Sequence, residues 1–370
     1  MRVIVIGAGV GGLTLAHGLR QAGIDVAVFE RDAPDARPQG VSLHLDDRGR
    51  SALRACLPGA NLAMVEATLG GPREAGQLLS EVDGELTVAP RRSTNGPVGP
   101  VRPGRMADRP LLRAVLLAGL EDAVRFGTAF TGYERPADGT VRACFADGTV
   151  ETADVLVGAD GVGSAVRARL LPEVRVADTG RRMLIGASPL RAVAGSGLPE
   201  LIGDTPAIAQ MCGVTMVCSV LRFGERPVAA RDRWLPTLRS RVVDGAEDYV
   251  MWALPGTRAQ LEEAGGRGAA WRMARGVATR LHPVLGSVID QAWPERTAAV
   301  RIGQVTGLPA LPGGPVTILG DAVRVGPGFG ANMAMQDACR LRDGLVRVAA
   351  GEDDLAGAVG AHSEALESCA

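Results

Sequence analysis

Three short stretches place glycines and an acid directly after an apolar run, the pattern of a strand passing into a helix through a tight turn. The first is RVIVIGAGVGG, residues 2–12. Gly7, Gly9 and Gly12 fit the spacing G-x-G-x-x-G. Gly7 permits the turn, Gly9 lets the backbone approach a pyrophosphate, and Gly12 lets helix and strand pack closely. The N–H groups and positive dipole end of the following helix then face the phosphates. Glu30 stands 18 residues after Gly12, with Arg31 beside it, at the end of the next apolar run. An acid there takes the ribose hydroxyls of an adenine dinucleotide. The second stretch, VLVGADGVGSAVR (155–167), carries Asp160 in its turn, with Ser164 placed to cap a helix. The third, VTILGDAVRVGPGFGAN (316–332), puts Asp321 just past a strand and feeds a helix from about residue 331. That helix start suits an anion or a developing negative charge.

Regular elements must hold these turns. Residues 2–6, 25–29 and 316–319 read as strands, and 13–22 as the helix after the first turn. Residues 46–57 read as a helix capped by Asp46, and 108–120 as one with Asp108 as cap and a proline in its first turn. Short strands with Asp-Gly turns fill 124–157, residues 181–254 are strand-like, 259–291 mostly helical, and 297–304 a strand. The fold class expected is α/β: a Rossmann-like nucleotide-binding domain interrupted by a β-rich segment, with helices at the C-terminal end. The boundaries expected are 1–174, 175–295 and 296–370, with strands around 72–105 facing the substrate.

Composition removes several alternatives. The net charge of −1 gives no footprint for nucleic acid or an anionic membrane, and no apolar run is long enough to span one. All 40 basic residues are arginine, so a Walker-type loop, a Schiff base or any catalytic lysine is excluded. The six cysteines form no CxxC and the four histidines are scattered, which argues against a metal site or a disulfide framework. Buried free cysteines in a reducing cytoplasm are the expectation. Five glycines interrupt the apolar N-terminus and no A-x-A site follows, so an export signal is not expected. The four tryptophans, Trp234, Trp252, Trp271 and Trp293, read as core residues before they read as a pocket, and Arg181 and Arg182 as a solvated strand end.

GAGVGG with Glu30–Arg31, GADGVGSAVR and LGDAVRVGPGFGANMAMQDA, in this order and over nearly the whole chain, resemble the flavin-dependent monooxygenases of the para-hydroxybenzoate hydroxylase type. The resemblance implies that the first turn and Glu30 hold the ADP half of FAD. It places Arg109, in DRPLLRAVL, near the FAD phosphates, and Asp160 in FAD and NAD(P)H binding. It puts Asp321 on the ribitol, and the amides of Gly330, Ala331 and Asn332 at the pyrimidine edge of the flavin. It further implies FAD reduced by NADPH or NADH, reaction with O2, and hydroxylation or epoxidation of an aromatic or polycyclic small molecule. A monomer or homodimer in the cytoplasm, serving specialised metabolism, completes the expectation. No lysine-dependent halogenation is possible.

Two departures stand out. Arg324 occupies the place where the family carries a histidine, and the loop from there to Asn332 is shorter, retaining one proline, Pro327. Arg324 and Pro327 are therefore the residues to watch for catalysis. A cation about 7 Å from a reduced flavin, at an effective dielectric of about 20, favours the anion by roughly 2 kcal/mol. Pointed to solvent, the same cation would be screened. The altered loop leaves a second reading open: a non-oxygenating FAD oxidoreductase, cyclase or isomerase.

Overall fold

A computed structural model of the chain describes residues 1–34, 40–73, 76–88, 102–261, 268–305, 309–324 and 330–367. At its centre five parallel strands lie in the order 316–318, 155–158, 2–6, 25–29 and 124–125. Their apolar runs are continuous because both faces are covered. Val3, Val5, Val26, Val28, Val155 and Val157 point into one core. There the helices Val10–Gln21 and Gly330–Ala349 pack on the sheet. Ile4, Ile6, Phe29 and Leu156 point the other way, into a core closed by Val141 and Phe145. The cover on that side is a three-stranded antiparallel meander, Phe130–Glu134, Val141–Phe145 and Val150–Ala153.

A larger sheet of seven strands runs in the order 298–305, 176–189, 249–257, 214–221, 207–211, 77–82 and 85–88. It gathers residues from three separate parts of the chain, including Gln77–Val88 and Ala298–Val305. Val250, Trp252 and Leu254 face the helices Ala269–Ala278 and Pro283–Asp290. Between the two large sheets sits a small one, Ser42–Asp46, Gly104–Asp108 and Pro72–Arg73. The stretch 181–254 is not all strand: Leu190–Val193, Leu198–Ile202, Pro227–Trp234 and Arg241–Asp244 are helical. Prolines at helix starts (Pro199, Pro227) begin two of them, a signal that the neighbouring strand-like runs mask. Among the described residues no helix is long and apolar enough to cross a membrane.

Candidate cofactor crevice

The first glycine turn leaves the parallel sheet at Ile6 and enters its helix with Gly9 as N-cap and no side chain capping it. A Cβ on Gly9 would meet nothing within 4 Å, whereas one on Gly12 would sit 2.2 Å from the Gly7 carbonyl. Gly12 is therefore fixed by the chain's own packing, whereas nothing in the described chain itself requires glycine at position 9. The Arg113 side chain, one turn beyond Arg109, donates from Nε to the Ala8 carbonyl at 3.0 Å and steadies the turn. Glu30 is buried at the end of the second strand. Its two oxygens accept from the Ala8 and Asp32 amides, each at 2.9 Å. Each oxygen keeps a lone pair for a further donor. Arg31 is exposed and paired with Asp32 at 3.2 Å.

Asp160 has a different use. It accepts from the Ser164 hydroxyl at 2.5 Å and from the Ala165 and Val166 amides at 2.7 and 3.2 Å. Ser164 in turn caps Arg167 N at 2.9 Å. The acid thus organises its own turn. Buried Arg167 then donates to the carbonyls of Val162 at 2.6 Å and Ala322 at 3.0 Å, tying the second turn to the third.

At the third turn Asp321 accepts no hydrogen bond from a described residue, and burial pushes its carboxyl pKa up against the opposing pull of Arg109. Arg109 mirrors it: burial lowers its pKa, Asp321 raises it, and its buried Nε has no hydrogen-bond partner among the described residues. A Cβ on Gly330 would come 2.5 Å from Asp321 Oδ1, so the helix start and the acid touch. The Asn332 side chain is buried and bonded at both ends: Nδ2 donates to the His44 carbonyl at 2.7 Å and Oδ1 accepts from Asp46 N at 3.1 Å. The backbone of the first helical turn, Gly330 and Ala331 included, is thereby locked to the small sheet.

Arg324 neither reaches toward a ring position as a bare cation nor lies in solvent. Its Nη2 donates to both oxygens of fully buried Asp337, at 2.7 and 2.6 Å, and its Nη1 to the Leu366 carbonyl at 2.8 Å. Asp337 also accepts from Gly320 N at 3.2 Å. The pair clamps the acidic turn, the long helix and the C-terminal helix together. Pro327 lies outside the described residues. Trp252 and Trp271 donate to Ser188 Oγ and the Ile289 carbonyl within the core of the large sheet. Arg182, expected at a solvated end, is buried and paired with Asp178 at 2.7 Å, while Arg181 is exposed.

Arg113, Arg167 and Asp337 were not singled out by motif. With no lysine in the chain every cation is arginine, so residue type alone does not separate a strut from a salt bridge on the surface. Arg113 had one signal, its i, i+4 spacing from Arg109.

The crevice fits a dinucleotide flavin on the structure's own terms. It joins a bare helix N-terminus, an open Cβ slot at Gly9, an acid with lone pairs to spare, and an oppositely charged pair, Arg109 and Asp321, that exchange no hydrogen bond among the described residues. Comparison with known proteins agrees. A family model described as FAD binding domain matches residues 1–222. The dual O-methyltransferase/FAD-dependent monooxygenase CTB3 of Cercospora beticola is 30% identical over 93% of this chain and 42% of its own length. An FAD-dependent urate hydroxylase of Mycolicibacterium vanbaalenii is 36% identical over 46% of this chain and 42% of that protein. The chain thus spans about two fifths of the length of these curated relatives, 42% in both. A crystal structure from Photorhabdus luminescens, provisionally described as an FAD-containing monooxygenase, superposes with a TM-score of 0.81 at 27% identity. That likeness covers 100% of this chain and 94% of the other.

Proposed function

We propose, from the premise that this chain belongs to the FAD-binding-domain family of the aromatic-hydroxylase-type monooxygenases, that it hydroxylates or epoxidises an aromatic or polycyclic small molecule. The observation that carries the reading is the Arg109–Asp321 pair. The two opposite charges are half-buried and feel each other, while Asp321 accepts no hydrogen bond and Arg109 Nε has no partner among the described residues. Unpaired buried charges are costly, and they persist where a ligand completes them.

In this reading Glu30 takes the ribose hydroxyls, the amides after Gly9 take the pyrophosphate, and Arg109 balances its charge. Asp321 holds the ribitol, and the amides of Gly330, Ala331 and Asn332 meet the pyrimidine edge. Asp160 acts through the turn it caps, and Arg31 stays at the rim. The chemistry supplied by bound FAD is two-electron reduction by NADPH or NADH and transfer of one atom of O2 to the substrate. The protein contributes position, exclusion of water and fixed dipoles. Residues 1–174 and 296–370 supply the FAD-binding part and 175–295 the substrate part, to which 77–88 and 298–305 lend strands of the large sheet; the strands near 72–105 face the substrate.

Oxygen uptake by FAD-loaded protein, with NADPH or NADH and a panel of phenols and polycyclic aromatics, tests this. The reading predicts substrate-stimulated uptake and a product one oxygen atom heavier, labelled from 18O2. Substrate conversion under strict anaerobiosis with no NAD(P)H consumed would overturn it in favour of a non-oxygenating flavoprotein.

A further inference from the structure

The small sheet presents one polar wall. Strand register puts Ser42, His44 and Asp46 on the same face as Asp108, Met106 and Gly104, and as Arg73 on the third strand. The opposite face, with Leu45 and Ala107, enters the core of the parallel sheet. The polar wall meets the seven-stranded sheet. Met106 packs with Tyr249, Leu221 and Ala187, and the Tyr249 hydroxyl donates to the Val41 carbonyl at 3.3 Å. The register of the large sheet places Ile185, Val217 and Met251 on the face that carries Ala187 and Tyr249. Those three are only half-buried, where Ala187 and Tyr249 are sealed. At the other end of the wall, the His44 carbonyl and Asp46 amide bond to Asn332, at the start of the helix assigned above to the flavin edge.

Arg73 stands in this wall with 6% of its surface exposed. Its Nε donates to the Asp204 carbonyl at 3.2 Å, while Nη2 is buried with no hydrogen-bond partner among the described residues. The carboxylate of Asp204 is bonded to Arg222 at 2.9 Å. Burial lowers the Arg73 pKa to about 10, and it remains a cation at neutral pH. Gly104 lies opposite Arg73, and a Cβ there would come 2.6 Å from His44 Nε2, so the glycine makes room for the His44 ring. The same burial, together with Arg73, lowers the His44 pKa and keeps that ring neutral.

We infer that Arg73 is the anchor for an anionic group, a carboxylate or an acidic phenol or enol, on an otherwise apolar substrate lying against Ile185, Val217 and Met251. Although Asp204 offsets part of its charge, the guanidinium keeps a buried Nη2 donor unsatisfied until such an oxygen arrives, and the half-buried apolar face of the large sheet takes the hydrocarbon part. The inference rests on the reading of the crevice given above and narrows its substrate to organic anions.

The test uses full-length protein loaded with FAD and titrated with benzoate, salicylate, 2-naphthoate and anthracene-2-carboxylate, each beside its primary carboxamide. Perturbation of the bound flavin's visible spectrum gives Kd. At least one carboxylate should bind about 10- to 100-fold more tightly than its amide, the range of a charge-assisted hydrogen bond. Arg73→Gln should bring that ratio near one with FAD content unchanged, and Arg73→Lys should keep part of it. A wild-type ratio near one throughout the panel, or a preference that survives in Arg73→Gln, overturns the inference. If Arg73→Gln does not fold, an Arg73→Lys ratio equal to wild type does the same, since a point charge cannot reproduce the fork. Protein that takes up no FAD would instead defeat the reading of the crevice.

Discussion

At the scale of single residues, the environment of Arg324 replaces both sequence expectations for it. The guanidinium spans both oxygens of an aspartate that has no exposed surface. Removing the cation leaves Asp337, among the described residues, with the Gly320 amide, so Arg324→Ala should lose about 3–5 kcal/mol of stability in urea denaturation. Arg324→Lys should recover only part, because one ammonium cannot also reach the Leu366 carbonyl. Asp321 behaves oppositely. Burial raises its pKa more than Arg109 lowers it. A carboxyl raised in this way contributes stability that is full below the unfolded aspartate value of about 3.9 and lost as pH rises through the folded value. Asp321→Asn should therefore melt higher than wild type in the FAD-free protein, with a difference that grows as pH rises and then levels off. The same variant should hold FAD about tenfold or more weakly, by loss of a charged hydrogen-bond acceptor. The acid itself was legible as Asp321 in a GD turn. The partner of Arg324 was not, because Asp337 lies one helix away and no local pattern pairs them.

At the scale of elements, the first turn separates two kinds of glycine that the motif writes alike. Gly12→Ala drives a methyl to 2.2 Å from a backbone carbonyl and should destabilise the protein with or without cofactor. Gly9→Ala meets nothing in the chain, so the FAD-free melting temperature should stay near wild type while FAD affinity falls. Equal loss of stability in the two variants would contradict the assignment of Gly9 to the pyrophosphate. The strands and turns around this motif were legible because local chemistry specifies them. Asp46 and Asp108 cap their helices as their positions indicated. The helices between 190 and 244 were obscured because they are short and lie between strongly strand-like runs such as 214–221 and 249–257.

At the scale of the whole molecule, long-range pairing decides what sequence periodicity leaves open. Ala298–Val305 pairs with Val176–Pro189 rather than joining the parallel sheet, and Gln77–Val82 extends the far side of the same large sheet. A fragment of residues 175–295 would lose strands from both sides and bare two open edges. It should fail to give a cooperative unfolding transition and should aggregate, whereas the full chain should melt cooperatively and more stably with FAD. The wall that carries Arg73 depends on the same contacts, since three strands from separate parts of the chain bring it opposite the large sheet. The central claim is that these parts converge on one FAD crevice running from Glu30 past Gly9 and Arg109 to Asp321. Its most direct test is the visible spectrum of the full-length protein after incubation with FAD and gel filtration. The account predicts one flavin retained per chain in wild type, and much less in both Glu30→Ala and Asp321→Ala. Wild-type protein that elutes without a flavin band, or retention at the wild-type level in both variants, would contradict it.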